Sequence, residues 1–200
     1  MQPAKKNCKE KMITYNDYLF AKKKALEMIN NSVIFITKKE KNSIEIADFG
    51  LSNPSVEGAQ IITLVSTERV CLKIIILFNN QTIPEHIHAG FDDNPGKQET
   101  LRVISGKMYL YTPGENNMKV NRIPRLTKNF YTVRHEISML PGNQITLEPN
   151  TKHWLQAGNS GAIVYSVSSN ARDDLDIFTN NNIVRKTVCL RKKKNLALPG

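Results

Sequence analysis

"PEHIHAGFDDNPGKQETLRVISG", residues 84–106, decides how the rest of the chain is read. His86 and His88 stand one residue apart, and in a strand residues i and i+2 point to one face, so both imidazoles can be presented to a single point. The turn-rich AGFDDNPGK follows, and Glu99 then opens a second strand, ETLRVISG, that ends at Gly106. Further on, PGNQITLEPNTKHWLQAG places His153 at the start of another strand, eleven residues after Gly142. Three imidazoles and one carboxylate fill four positions of a divalent-metal site and leave one or two for water or substrate, the open arrangement that catalytic metals need. Each residue alone is ordinary: an H-x-H pair is commonly a surface pair, and a strand-opening glutamate is commonly solvated. The joint pattern carries the metal reading.

Working outward, β-branched and aromatic segments alternate with Gly, Asn and Pro turns: SVIFIT, SIEIADFG, AQIITLVST, VCLKIIILF, KMYLYTPG and AIVYSVSS. Eight or more short strands without intervening helices predict an all-β sandwich, jelly roll or barrel. One amphipathic helix is predicted before them, N-capped by Asn16 ahead of Asp17, with Tyr18, Ala21, Ala25, Met28 and Ile29 on one face. A chain of 200 residues with 40% hydrophobic residues supports a single core. The expected division is a basic N-terminal segment with the helix (1–42), a barrel (43–184) and a basic C-terminal tail (185–200).

The net charge of +10 sits at the two ends. Residues 1–24 hold seven lysines against Glu10 and Asp17, residues 185–200 hold six basic residues and no acid, and the body between keeps 15 basic against 16 acidic groups. Solvated ends of this kind argue against nucleic acid as the partner. Cys8, Cys71 and Cys189 are odd in number and far apart, which excludes a disulfide framework and a Cys-x-x-Cys motif and fits a reducing, cytoplasmic setting. The strongest apolar run, Ile74 to Phe78, is far too short to span a bilayer, so no membrane is expected.

H-x-H, ten residues, Glu, six residues, Gly, and then Gly142 with His153 eleven beyond it resembles the two motifs of the cupins. The gap from H-x-H to Glu99 is longer than in most cupins, and Pro149-Asn150 stands where the usual turn lies a residue earlier. The runs IADFGL, PGKQETLRVISGKMYLYTPG, PGNQITLEPNTKHWLQAG and RDDLDIFTN, over residues 43 to 184, look like the D-lyxose isomerase family of metal-dependent cupin ketol-isomerases. Gln98 departs from the family's KEET and leaves Glu99 intact. The resemblance implies a double-stranded β-helix barrel, His86, His88, Glu99 and His153 as ligands of Mn²⁺, a homodimer, and an aldose–ketose interconversion of D-lyxose with D-xylulose and of D-mannose with D-fructose.

Such an isomerisation moves a hydrogen between C2 and C1 through an enediol or by a hydride shift, and the enediol route needs a base and a proton donor. Glu148 shares a strand face with Gln144 and Thr146, a polar face suited to a cavity mouth or to solvent. Lys97 shares parity with Glu99 and can reach a substrate oxygen if the strand extends that far. The family resemblance, not spacing, raises Arg172 and Asp176 in NARDDLDIF. Glu148, Asp176 and Lys97 are therefore the catalytic candidates, and Arg172, Trp154 and Gln144 the substrate-binding ones. Tyr109, Tyr111 and Trp154 can stack on a sugar, although such aromatics usually belong to a core, and His135 has no partner at ligand spacing. The competing readings are a cupin oxygenase using Fe²⁺, a sugar-binding cupin without turnover, and a nucleic-acid binder using the basic ends.

Overall fold

The computed structural model describes residues 12–91 and 93–189. In chain order its elements are β1 (Met12–Ile13), α1 (Tyr15–Asn30), α2 (Lys38–Asn42), β2 (Glu45–Ala47), β3 (Ala59–Ser66), β4 (Cys71–Leu77), β5 (Thr82–Ile87), β6 (Glu99–Thr112), β7 (His135–Met139), β8 (Gln144–Leu147), β9 (His153–Ser168), β10 (Ile177–Phe178) and β11 (Val188–Cys189). β2 to β10 form one antiparallel sheet that curls into a barrel, in the order β10-β5-β9-β4-β3-β2, with β6 running along β9 and carrying β7 and β8 on its other side.

The predicted pair ETLRVISG and KMYLYTPG is a single bent strand, β6, and AIVYSVSS is the second half of β9. Their register shifts around Val103/Ser105 and Gly106/Met108, where Gly106 (φ 75°) faces Ala162 and lies against Gly161 (φ 77°). A side chain on Gly106 would sit 2.1 Å from the Gly161 carbonyl oxygen, so the bend exists only because both positions are glycine. Gly106→Ala should therefore cost more than about 1 kcal/mol in chemical denaturation, since the residue can neither clear the carbonyl nor relax at positive φ.

The apolar run Ile74 to Leu77 shows no alternation because both its faces are covered. Ile75 and Leu77 point into the barrel with Leu101, Val103 and Leu110, while Ile74 and Ile76 meet Ala21, Ala25 and Ile29 of α1. Lys73 lies two residues before Ile75, on the interior face.

The N-cap of α1 lies two residues before the predicted one. Thr14 is the cap, accepting from Asp17 N at 3.1 Å while the Asp17 carboxylate accepts from Thr14 N at 3.3 Å, and Asn16 lies inside the helix. SVIFIT is not a strand: Ile34 drops into the core beneath α1, Phe35 is 97% exposed, and Thr37 starts α2 with its own capping box to Glu40. The β-branched residues there find a core partner but no strand to pair with. Residues 185–189, expected in the basic tail, pack on the barrel instead. Thr187 Oγ1 donates to Asp48 Oδ1 at 2.8 Å, Arg185 pairs with Glu45, and β11 lies parallel to β1. Residues 1–11 and 190–200 of the two expected basic ends lie outside the described residues.

Candidate active site and metal centre

Three neighbouring strands deliver the candidate ligands to one end of the barrel. His86 on β5 is the register partner of His153 on β9, His88 follows just beyond β5, and Glu99 opens β6. Glu85, on the other face of β5, is buried and accepts from Val133 N at 2.9 Å and from the Thr132 and Thr179 hydroxyls at 2.7 Å each, which fixes the strand that carries both histidines. All four candidate ligands are buried.

The three imidazole rings lie 4.3–5.0 Å apart between centroids, and their candidate ligand atoms fall within 4.8 Å of one another. His86 Nδ1 is 2.8 Å from the Pro84 carbonyl and His153 Nδ1 is 2.8 Å from the Thr151 carbonyl. A carbonyl only accepts, so each Nδ1 carries the proton and each Nε2 keeps its lone pair for a ligand. His88 is oriented in the same way by Asp176, whose Oδ1 lies 2.7 Å from Nδ1. His88 Nε2 then meets Glu99 Oε2 at 3.1 Å, two electron-pair donors that share a cation comfortably, and the buried His153 Nε2 has no hydrogen-bond partner. The residues present fit a divalent ion on these grounds.

For His86 and His153, electrostatics support the same state. Burial drives His86 down to about 3, helped by the neighbouring His88, and holds His153 well below its ordinary value, so both are neutral ligands near neutral pH. Burial also pulls on His88, but the Asp176 and Glu99 carboxylates against its two nitrogens raise it overall, so it favours a second proton, on Nε2, that a bound cation would displace. Burial would push Glu99 up; Lys97 and His88 hold it well below the usual carboxylate range.

Lys97 and Asp176 line the same cavity as the ligands. Lys97 Nζ lies 3.5 Å from both Glu99 Oε1 and Asp173 Oδ1, and these acids raise it above its ordinary value against the pull of burial. Asp173 in turn pairs with Lys73 and, at 3.3 Å, with Arg185. Lys73, Asp173 and Arg185 were not singled out from sequence. Lys73 could have been, as a lysine inside an apolar strand at the parity of Ile75; Asp173 and Arg185 reach it from far along the chain.

The other candidates stand elsewhere. Glu148 is exposed and accepts from Gln98 Nε2 at 2.9 and 3.1 Å, on the outer face of the barrel. Gln144, on that same face, accepts from Arg102 Nη1 at 2.8 Å. The physical reason is parity: Leu147 pairs with Glu99 and turns inward with Ile145, which sends Gln144, Thr146 and Glu148 out. Trp154 is buried, stacked on Tyr111 at 3.6 Å with Nε1 donating to the Val133 carbonyl, so it belongs to the core. Arg172 pairs with Asp174 at the surface and lies over the Phe91 ring. His135 Nδ1 is 3.0 Å from the Glu115 carbonyl, far from the ligands in the sheet. Glu148→Gln should accordingly retain wild-type steady-state turnover and stay within about 0.5 kcal/mol of wild-type stability, as an exposed substitution does; a large loss of turnover would return it to the reaction.

A curled antiparallel barrel with three histidines and a glutamate converging at one end is a cupin with an enzyme's cavity. Its architecture matches the X-ray structure of the Cellulomonas parahominis L-ribose isomerase with L-ribose (TM-score 0.74, 12% identity, covering 90% of this chain and 100% of that one). It also matches the Acinetobacter sp. DL28 L-ribose isomerase mutant E204Q in complex with L-ribose (TM-score 0.71, 13% identity, covering 90% and 99%). These likenesses establish the fold. In sequence, the chain is 47% identical over 163 residues to the D-lyxose/D-mannose isomerase of Thermosediminibacter oceani, covering 81% of this chain and 90% of that protein. It is 44% identical over 169 residues to the D-lyxose ketol-isomerase of Cohnella laeviribosi, covering 84% and 93%. No family model matches the chain. The chain belongs to the D-lyxose ketol-isomerase family of sugar isomerases.

Proposed function

We propose that the chain interconverts D-lyxose with D-xylulose, and D-mannose with D-fructose, using one Mn²⁺ held by His86, His88, Glu99 and His153. The observation that carries this reading is the buried group of His86, His88 and His153, with Glu99 against His88, beside a lysine and an aspartate that no ligand position uses. A divalent ion bound there supplies Lewis acidity toward the sugar's C1 and C2 oxygens. Lys97 stays cationic and donates a hydrogen bond to the carbonyl oxygen as charge grows on it. Asp176, with Oδ1 occupied by His88, takes the C2 proton on its other oxygen and gives a proton to C1, while the C2 hydroxyl proton passes to the C1 oxygen, so that the C1 carbonyl becomes a hydroxyl and the C2 hydroxyl the ketone. Asp173, with Lys73 and Arg185, fixes the Lys97 ammonium.

Among the described residues no helix is long and apolar enough to cross a membrane, and Cys71 is buried and unpaired. The proposal of a cytoplasmic setting rests on the cysteine usage, and the resemblance to the family carries the proposal of a homodimer. The test is purification without chelator, metal analysis, and an assay of pentoses and hexoses for aldose–ketose exchange. About one divalent ion per chain with D-lyxose turnover restored by Mn²⁺ is expected; oxygen uptake dependent on Fe²⁺ with no sugar turnover would overturn the reading in favour of an oxygenase.

A further inference from the structure

Phe49 has a backbone conformation that bulky residues avoid. Its φ is 53°, Gly50 follows at 65°, and Ser52 is at 57°. The loop is braced from several sides: the buried Asp48 carboxylate accepts from Gly50 N at 3.1 Å, from Ser52 N at 3.3 Å and from Thr187 Oγ1 at 2.8 Å, while Val184 N donates to the Phe49 carbonyl at 3.0 Å. A strained backbone that its surroundings over-determine is a place to look for function.

What the strain achieves is the position of one ring. Phe49 lines the cavity, 2% exposed, with its ring 5.7 Å from that of Phe178. Phe178 is the register partner of His86 and lies 5.3 Å from its ring. On the other side the Arg185 guanidinium, held by Glu45 and Asp173, sits 6.0 Å above the Phe49 ring. Three rings therefore run in file from a candidate metal ligand to Phe49, in the cavity that Lys73, Lys97 and Asp173 also line.

We propose that Phe49 is the end wall of the cavity and sets the chain length of the aldose it accepts. The proposal rests on the isomerase reading above. A chain-form sugar held by its C1–C2 end beside His86 lays its carbon-bound hydrogens along Phe178 and brings its far end to Phe49. D-Lyxose and D-mannose share their configuration at C2, C3 and C4, and D-mannose carries one more carbon with its hydroxyl. That extra group meets a pinned ring that offers no hydrogen bond, so it loses hydration without replacement.

The experiment compares kcat/KM for D-lyxose and D-mannose, with saturating Mn²⁺, in wild type, Phe49→Gly and Phe49→Leu. Glycine adopts a φ of 53° without strain, so Phe49→Gly removes the wall while easing the backbone. The D-mannose to D-lyxose ratio should rise about tenfold or more in Phe49→Gly, the scale on which pockets discriminate one carbon. Phe49→Leu should shift it in the same direction by less, and gives the answer if the glycine variant does not accumulate. A purely structural role would lower both sugars together and leave the ratio within about twofold, which overturns the proposal while the isomerase reading stands. Wild type inactive on both sugars overturns the two together.

Discussion

His153→Ala should abolish bound metal in protein purified without chelator, and turnover with it. The other three ligands would remain, but the imidazole removed is the one whose buried Nε2 has no hydrogen-bond partner, so it has nothing else to do at the site. His86→Ala and His88→Ala should behave alike, and Glu99→Gln should lose metal and activity while recovering part of both in excess Mn²⁺, because an amide oxygen is a weaker ligand than a carboxylate. The same linkage gives a stability readout. A ligand at 100 times its Kd stabilises by about 2.7 kcal/mol, so chelation should lower the wild-type Tm by several degrees and leave that of His153→Ala unmoved. Metal analysis by mass spectrometry alongside thermal melts measures both effects, and full occupancy in all three alanine variants would remove the ligand assignment.

Much of this centre is legible in the sequence because its geometry is local. His86 and His88 are two apart on and just beyond β5, and Lys97 and Glu99 repeat that spacing where β6 begins, so closing the barrel through β9, with which both strands pair, brings both doublets to one place. His153 follows from the second spaced motif. What period-two reasoning does not give is which face of a short strand turns inward. For β8 the polar face looked as suitable as the apolar one, and the decision came from Leu147 pairing with Glu99 across the sheet. The Lys73–Asp173–Lys97–Arg185 cluster was hidden for a different reason: its members lie as much as 112 residues apart, counting from Lys73 to Arg185, and meet only when β4, the start of β6 and the segments on either side of β10 come together as the barrel closes. SVIFIT failed because β propensity describes a residue that suits a sheet, and no strand edge meets that segment.

Asp176→Asn should lower turnover through two routes that can be separated. Asp176 holds His88 Nδ1 at 2.7 Å, so the amide, able to present either a donor or an acceptor there, orients that ligand less firmly. Loss of such a partner typically weakens metal binding by about 10–100-fold, and saturating Mn²⁺ restores occupancy. The defect that remains at saturation belongs to proton transfer and should be on the order of 10²–10⁴ in kcat, with little change in KM, because the lost interaction forms only in the transition state. Solvent deuterium entering C1 of the product in wild type, and slowed in step with turnover in the variant, ties that loss to a proton moved by the protein; product with no deuterium would indicate a direct hydride shift and remove Asp176 as base. Lys97→Met makes the complementary test. It leaves Glu99 and Asp173 without their shared ammonium, so kcat should again fall with metal bound, and Lys97→Arg should recover only part because a planar guanidinium cannot replace a compact ammonium 3.5 Å from both carboxylates. If Asp176→Asn and Lys97→Met both turn over at wild-type rates with metal bound, the acid–base assignment fails and the proton moves by another route.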